Sequence, residues 1–536
     1  MVEINPPLII GLNTVPVALA RALGLSPITV YRLLFALALS AALLLTAVLV
    51  RRVLPEPRPR HAFLLVLGFV LFPLAGQDFG QREHLLLAFT LPYVLLAVGR
   101  ASGSQVRRRT AAVIGLMAGL GLALKPHFLP LWAGLELYLL SRARQWTSPL
   151  RLESIVAVAV LVAYGGFVLL AFPEYVRLVS FVGAAYSHFL YEPFGRLLLS
   201  GPGALVALFA LLTYLALRRQ ARHPELWHVL AIATAAFLVG GAAQQKGLSY
   251  HFYPSFASGL LLLATIVVDA IQDLSSLAGR LYRVVASAVV VTSVVVVLLA
   301  DVRHVVGSRF GRHSNDSYPE LVEFVRARAA GERIFVFSYH IGSAFPLVNY
   351  SGTSLASRFP QLWILAAVYL DELHADRPMR YRTPGEMGPV ERYMYDAVRA
   401  DLEVNRPKLL LVLRNARDDQ VNGLRRLDYI AYFGRDPRVR RIFNRYQSVG
   451  VTGEFAVYER MAEGERPTMP VPEATPGVLD VVRTREARLG WVTATQEPAV
   501  SLLVFAASLV WFGRAERGRA SQGRSDGTRR GPAPAT

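Results

Sequence analysis

The chain has 536 residues, 53% hydrophobic and only 18% charged, with a mean hydropathy of +0.38. Soluble domains carry about 25% charged residues, so this composition disfavours a soluble enzyme, a disordered chain or a fibrous one. The 57 Lys and Arg against 38 Asp and Glu give a net charge of +19, and the lack of cysteine excludes disulfides, thiolate metal sites and a cysteine nucleophile.

The first residues, Met1 to Pro7, are short and carry Glu3 where a cleavable signal would carry basic residues. Pro6–Leu25 is apolar but broken by Asn13, Pro16 and Arg21, which predicts a short helix lying on the outer membrane surface. A membrane-crossing helix needs about 20 mostly apolar residues. Candidate spans are Ile28–Val50, Ala62–Leu74, Leu85–Gly99, Ala111–Leu124, Phe128–Leu140, Ser154–Phe172, Ala204–Leu217, His228–Ala243, Phe256–Ile271, Val284–Ala300 and Ala499–Phe512. The short neighbours Ala111–Leu124 and Phe128–Leu140 read either as two tilted spans or as a re-entrant pair.

Orientation follows from the cations. Alternate loops hold Arg51, Arg52, Arg58 and Arg60; Arg107, Arg108 and Arg109; Arg142, Arg144 and Arg151; Arg218, Arg219 and Arg222; Arg280 and Arg283. The intervening loops carry only Arg82, Lys125, Arg177, Arg196 and Lys246. The positive-inside rule puts the arginine-rich loops in the cytoplasm, so the basic excess is an anchoring signal and not a nucleic-acid footprint. A multispan chain that starts outside with no preceding span is unusual, which leaves room for a first span upstream of Met1.

Charge rises and the apolar runs shrink between 303 and 490. Arg333–Ser338 and Lys408–Leu413 read as buried strands, and Val449–Val451 with Phe455–Tyr458 as a hairpin. Ser317–Ala330 and Glu391–Val404 read as helices. Pro467–Pro476 is a proline-rich linker, and the residues after 513 are rich in Arg, Gly, Ser and Pro. The expected organisation is a polytopic α-helical membrane protein of about 11 spans, with a small extracytoplasmic α/β domain near the C-terminus. Its parts are a multispan domain over 1–302, the α/β domain over 303–490, a last span within 491–513 and a disordered basic cytoplasmic tail over 514–536.

Residues able to carry chemistry cluster on the expected outer face. Glu3 and Asn5 precede Pro6-Pro7, ordinary punctuation at a helix entry. Asp78, Arg82, Glu83 and His84 crowd one turn against the membrane. That is costly unless the groups are paired or functional; the plain reading is a solvated turn with an Arg82–Glu83 pair. Asp78, Glu83 and His84 also have the chemistry of a general base or its partner. Lys125 and His127 follow one span, and Lys246, Tyr250, His251 and Tyr253 lie in a later loop. The chain has three lysines, Lys125, Lys246 and Lys408, against 57 − 3 = 54 arginines. Two of the three stand at outer span ends, where a compact ammonium suits a phosphate, although a lysine there also simply snorkels. Tyr250 and Tyr253 also suit an interfacial aromatic belt. The sequence contains no P-loop and no HExxH. Glu136 and Asp269 fall near cytoplasmic span ends, unlike a transporter's mid-membrane relay.

Taken in order, these motifs resemble the GT-C glycosyltransferases: the dolichyl-phosphate-mannose protein mannosyltransferases, the lipid A aminoarabinose transferases and their bacterial relatives. The resemblance covers roughly residues 3–300. It is carried by an acidic residue before Asn5-Pro6-Pro7-Leu8, the acidic patch Asp78–His84, Gly119-Leu120-Gly121-Leu122-Ala123-Leu124-Lys125-Pro126, and Lys246 followed by Tyr250-His251-Phe252-Tyr253-Pro254. The family's usual catalytic aspartate precedes the Pro-Pro motif by some tens of residues, and this chain begins too late to contain it.

The resemblance implies a membrane glycosyltransferase that moves a sugar, with inversion, from a polyprenyl-phosphate donor to a lipid, glycan or protein acceptor. It implies the periplasmic or exterior face of the cytoplasmic (inner) membrane as the place, the lipid bilayer and no nucleic acid as surroundings, and no metal or other cofactor. The implied acids are Glu83, Asp78 and Glu3. The implied substrate-binding residues are Asn5, Arg82, His84, Lys125, His127, Lys246, Tyr250, His251 and Tyr253. A surface-polysaccharide polymerase or ligase, or a lipid-linked glycan flippase, are the alternatives.

Overall fold

The computed structural model describes residues 4–143, 150–272, 318–374, 380–414 and 427–462. Glu3, the expected spans Val284–Ala300 and Ala499–Phe512, the proline-rich linker and the basic tail lie outside these residues.

Up to Gln272 the architecture is helical: α1 (Pro7–Leu23), α2 (Pro27–Val53), α3 (Pro57–Leu71), α4 (Arg82–Ala101), α5 (Arg108–Leu124), α6 (Leu129–Ala143), α7 (Leu152–Ala171), α8 (Pro173–His188), α9 (Phe194–Ser200), α10 (Pro202–Leu217), α11 (Pro224–Ala242) and α12 (Tyr253–Gln272). Pro7, Pro27, Pro57, Pro173, Pro202 and Pro224 each open a helix. The first-turn N–H that proline lacks would have had no partner there, and its fixed φ already suits the helix.

Seven helical segments among the described residues are long and apolar enough to cross a membrane: Pro27–Val53, Pro57–Gly76, Arg82–Ala101, Leu152–Ala171, Pro202–Gln220, Pro224–Ala242 and Ser249–Ala270. Helices α5 and α6 form a further pair bent by 120° at Lys125, so the two short expected spans are the arms of one helical hairpin. Every expected span from Ile28 to Ile271 falls on a helix.

Helix α4 is enclosed by its neighbours along nearly its whole length, whereas α7 leaves Val162, Phe167, Leu169 and Leu170 exposed. Helix α5 meets α7 through Gly119, where an added Cβ would lie 2.7 Å from Val160 Cβ and 2.9 Å from the Ala157 carbonyl. Small residues let membrane helices approach this closely. At the arginine-rich ends, Glu136 is paired with Arg151 at 2.5 Å, and Glu153 takes both a 2.8 Å and a 3.0 Å bond from Arg100. These acids are therefore structural partners of the loop cations.

From Tyr318 the chain forms an α/β domain. Its sheet runs β2 (Ser354–Leu355), β1 (Arg333–Phe337), β3 (Leu409–Leu413), β5 (Phe455–Arg460), β4 (Tyr446–Thr452). β2, β1 and β3 are parallel, and β5 lies antiparallel to both β3 and β4. Every residue of β3, Leu-Leu-Leu-Val-Leu, is buried, as expected of a central strand covered on both faces. The β4–β5 hairpin turns at Gly453, whose φ of +59° lies in the left-handed region that glycine accepts without strain. Helices α13 (Tyr318–Ala329) and α14 (Pro389–Asn405) supply Val325, Met394 and Val398 to the core.

Helix α8 belongs to the helical part of the chain, yet Val182 and the following Phe189 are members of the α/β core. Phe181 meets Tyr393 edge-on at 5.7 Å, and Tyr186 meets Trp363 at 5.4 Å. The domain is thus fastened to the helical bundle by an element that ends 333 − 188 = 145 residues upstream of β1, roughly the size of a whole domain.

Candidate functional site

A cavity of 520 Å³ lies where α1, the turn before α4, the end of α8, the loop before α12 and the α/β domain meet. Asn5, Arg82, Lys246 and Tyr250, all expected site residues, line it. Arg82, Lys246 and Tyr250 come from span ends remote from the arginine-rich loops and Asn5 from the start of α1, which is why residues so far apart in sequence converge.

Arg82 and Glu83 begin α4 and diverge. Arg82 is half-buried and lines the cavity, and its guanidinium has no hydrogen bond or ion pair among the described residues. Glu83 is fully buried, with Oε1 2.7 Å from Lys125 Nζ and 3.7 Å from His251 Nε2. Lys125 also donates to the Gln244 side chain. The second carboxylate oxygen, Oε2, and His251 Nδ1 are buried with no hydrogen-bond partner among the described residues. The expected Arg82–Glu83 pair is replaced by a buried Glu83–Lys125 pair. Two opposite charges removed from water must satisfy each other, so Lys125 offsets Glu83 instead of facing the cavity.

His84 serves the turn. Its Nδ1 accepts the Gly80 N–H at 3.2 Å and its Nε2 donates to the Leu71 carbonyl at 2.9 Å, so both ring nitrogens of the neutral imidazole are used by backbone. Tyr253, whose ring lies 5.3 Å from His84, donates to the Val70 carbonyl. Gly80 has φ +84°, and its carbonyl accepts from Tyr31 Oη at 3.0 Å; a Cβ there would run into that hydroxyl. Asp78 sits half-buried in the same turn, and His127 is exposed; neither lines the cavity.

Lys246 lines the cavity, but its ammonium is spent at the end of α8. It donates to the carbonyls of Tyr186 (2.6 Å), Ser187 (3.3 Å) and Phe189, and lies 4.6 Å from the Tyr186 ring centre. An ammonium has three donors, and a cation is favoured where helix carbonyls lack partners. Burial alone lowers Lys246 to about 8.

The cavity wall also holds Tyr31 and Tyr186, and from the α/β domain Tyr339, His340, Ile341, Gln361 and Trp363. Sequence reading missed these residues. A signal was present: Arg333–Phe337 runs straight into Ser-Tyr-His. In open parallel sheets ligands gather at the carboxyl ends of strands, where connections leave in opposite directions. From β1 the chain goes to β2 on one side, while its other neighbour, β3, is followed in the sheet by β5. That order is invisible without the pairings.

A second, apolar groove of 830 Å³ runs between α1, α7 and α8, lined by Leu8, Tyr164, Phe167, Phe172, Leu178 and Phe181 among others. Asn5 and Ile10 line both it and the polar cavity. Tyr164 Oη accepts the Leu8 N–H at 3.1 Å and Tyr175 donates to the Ile4 carbonyl at 3.1 Å, which hold the start of α1 between the two.

Among the described residues no three His, Asp or Glu side chains are grouped so as to hold a metal ion. No protein-family model matches the chain, and no curated protein matches it.

Proposed function

We propose that the chain is a membrane glycosyltransferase that moves a sugar from a polyprenyl-phosphate donor to a lipid, glycan or protein acceptor. The observation that carries this reading is the pairing of the two cavities. A polar chamber whose arginine has no partner among the described residues shares Asn5 and Ile10 with an apolar groove open along the exposed face of α7. A ligand with an anionic head and a long hydrocarbon tail fits that combination. Neither a soluble sugar nucleotide nor a small ion has a use for the groove.

In this reading Arg82 meets the donor phosphate. The bond from the anomeric carbon to phosphate breaks as the acceptor oxygen attacks from the other side, and configuration inverts. A fixed guanidinium stabilises the charge that grows on the departing phosphate more than the charge already there. The cavity lies at the span ends opposite Arg51, Arg52, Arg107 and Arg218. By the positive-inside rule it opens to the outer side of the cytoplasmic membrane.

The test is direct. Protein in lipid nanodiscs is given polyprenyl-phosphate mannose, glucose and aminoarabinose, and bound lipid is read by native mass spectrometry together with release of polyprenyl phosphate. Binding and release support the reading. Failure to bind any of the three rejects it.

A further inference from the structure

We propose that the α/β domain supplies the acceptor side of the cavity, with His340 taking the proton from the incoming hydroxyl and Gln361 orienting a hydroxyl-bearing glycan. This rests on the transferase reading above and gives the domain a role in it. The starting observation is the composition of the cavity wall. Its described lining residues include no carboxylate. Apart from tyrosines, the ionisable groups there are Arg82, Lys246 and His340. A guanidinium and a hydrogen-bonded ammonium do not take up protons. A phenol, with a reference pKa of about 10, donates near neutrality, whereas an imidazole accepts. The carboxylate that the sequence favours, Glu83, is fully buried and paired with Lys125 at 2.7 Å.

His340 is also held in place. It is exposed, three residues after the end of β1. Its backbone N–H donates to Ser338 Oγ at 3.0 Å, and that hydroxyl in turn donates to Ser343 Oγ at 2.9 Å. The Leu362 N–H donates to the Ser338 carbonyl at 2.7 Å, which ties the loop bearing Gln361 to the same strand end. Gln361 is half-buried and lines the same cavity. Its amide offers both a donor and an acceptor, the pair needed to hold a sugar hydroxyl. The membrane helices thus bring the cation, and the α/β domain brings the proton acceptor and the neutral hydrogen-bonding group.

The step balances without a further reactant. The acceptor hydroxyl loses its proton to an imidazole nitrogen of His340, and its oxygen forms the new bond to the anomeric carbon. The old carbon–oxygen bond breaks, its electron pair leaves on the phosphate, and the imidazolium later releases its proton to water.

The experiment uses the full chain in nanodiscs, with the three polyprenyl-phosphate sugars as donors and soluble methyl glycosides as acceptors. His340→Asn, with His340→Gln as the second variant, is expected to lower kcat about 100-fold or more, in the range for loss of a general base. Donor binding should be unchanged, and the acidic limb of the wild-type kcat/KM profile should disappear. Gln361→Ala is expected to raise the acceptor KM by about tenfold with kcat nearly kept, as for loss of uniform binding. Transfer by both His340 variants within about threefold of wild type, with the acidic limb intact, overturns this proposal alone. Absence of transfer by the wild type overturns it together with the transferase reading.

Discussion

Glu83 and Lys125 hold each other where the sequence suggests that each would hold substrate. Glu83→Gln leaves a buried ammonium without its carboxylate, and breaking such a pair from one side costs about 3–5 kcal/mol. The melting temperature in detergent should fall accordingly, and Glu83→Gln combined with Lys125→Met should recover much of the loss. A destabilised single variant with an equally unstable double variant would mean that the pair is not what the carboxylate supports. Arg82 and Lys246 separate in the same way. Lys246 is bonded to three carbonyls at the end of α8, while Arg82 has no partner among the described residues. Lys246→Met should therefore lower stability, by about 2 kcal/mol at most for a cation at a helix end, and leave lipid affinity nearly unchanged. Arg82→Gln should do the reverse, weakening polyprenyl-phosphate binding about tenfold or more, or about 1.4 kcal/mol, at an unaltered melting temperature. Equilibrium binding and thermal melts on the two variants side by side decide the matter.

At the scale of elements, close helix contacts and loop-to-helix bonds set the frame that positions these residues. Gly119 lets α5 lie against α7, with the Ala157 carbonyl and Val160 in the space a side chain would need. Gly119→Val should force the helices apart and cut the yield of folded protein, measured by size-exclusion profile after extraction; a normal profile would show that the contact yields freely. On the arginine-rich side, Asp269 of α12 accepts from the N–H groups of Arg222 (3.0 Å) and His223 (3.2 Å) and pairs with the His223 ring at 2.7 Å. That hydrogen bond, helped by the carboxylate's charge, raises His223 above its usual 6.5. The sign follows from linkage: a raised folded pKa means that protonation favours the folded state. The stabilisation is complete below pH 6.5 and is lost as the pH rises through the raised value. The melting-temperature difference between wild type and His223→Gln should shrink across that window, and a pH-independent difference would exclude a charged pair.

For the whole molecule the decisive contact is between α8 and the α/β domain. Trp363, almost fully buried, lies against Tyr186 at 5.4 Å and Phe189 at 5.8 Å, and the carbonyls of those same two residues accept from Lys246. One aromatic cluster therefore joins the domain, α8 and the cavity wall. Trp363→Ala removes its centre, at a cost of about 3–5 kcal/mol for a large core side chain. Limited proteolysis should then release the α/β domain ahead of the helical bundle. Cleavage at the wild-type rate would show that the cluster does not fasten the two.

The helical bundle was legible in the sequence because a membrane span must be both long and apolar, and few other structures need that composition. The runs from Ile28 to Ile271, the strands at Arg333 and Lys408 and the hairpin at Gly453 are local patterns, and each became the element its residues require. The turn at Asp78–His84 was legible as a place but not as a set of roles. Whether Glu83 faces a cavity or Lys125 depends on how α4 is rotated against α5, which no spacing within either segment records. The same limit hid His340 and Gln361. Their meaning comes from the order of strands in the sheet and from a helix upstream that packs into its core. Sequence fixes what lies in the membrane because hydrophobicity is a property of the segment itself; which side chains meet at the cavity is settled by packing between segments, and only the tertiary structure holds that information.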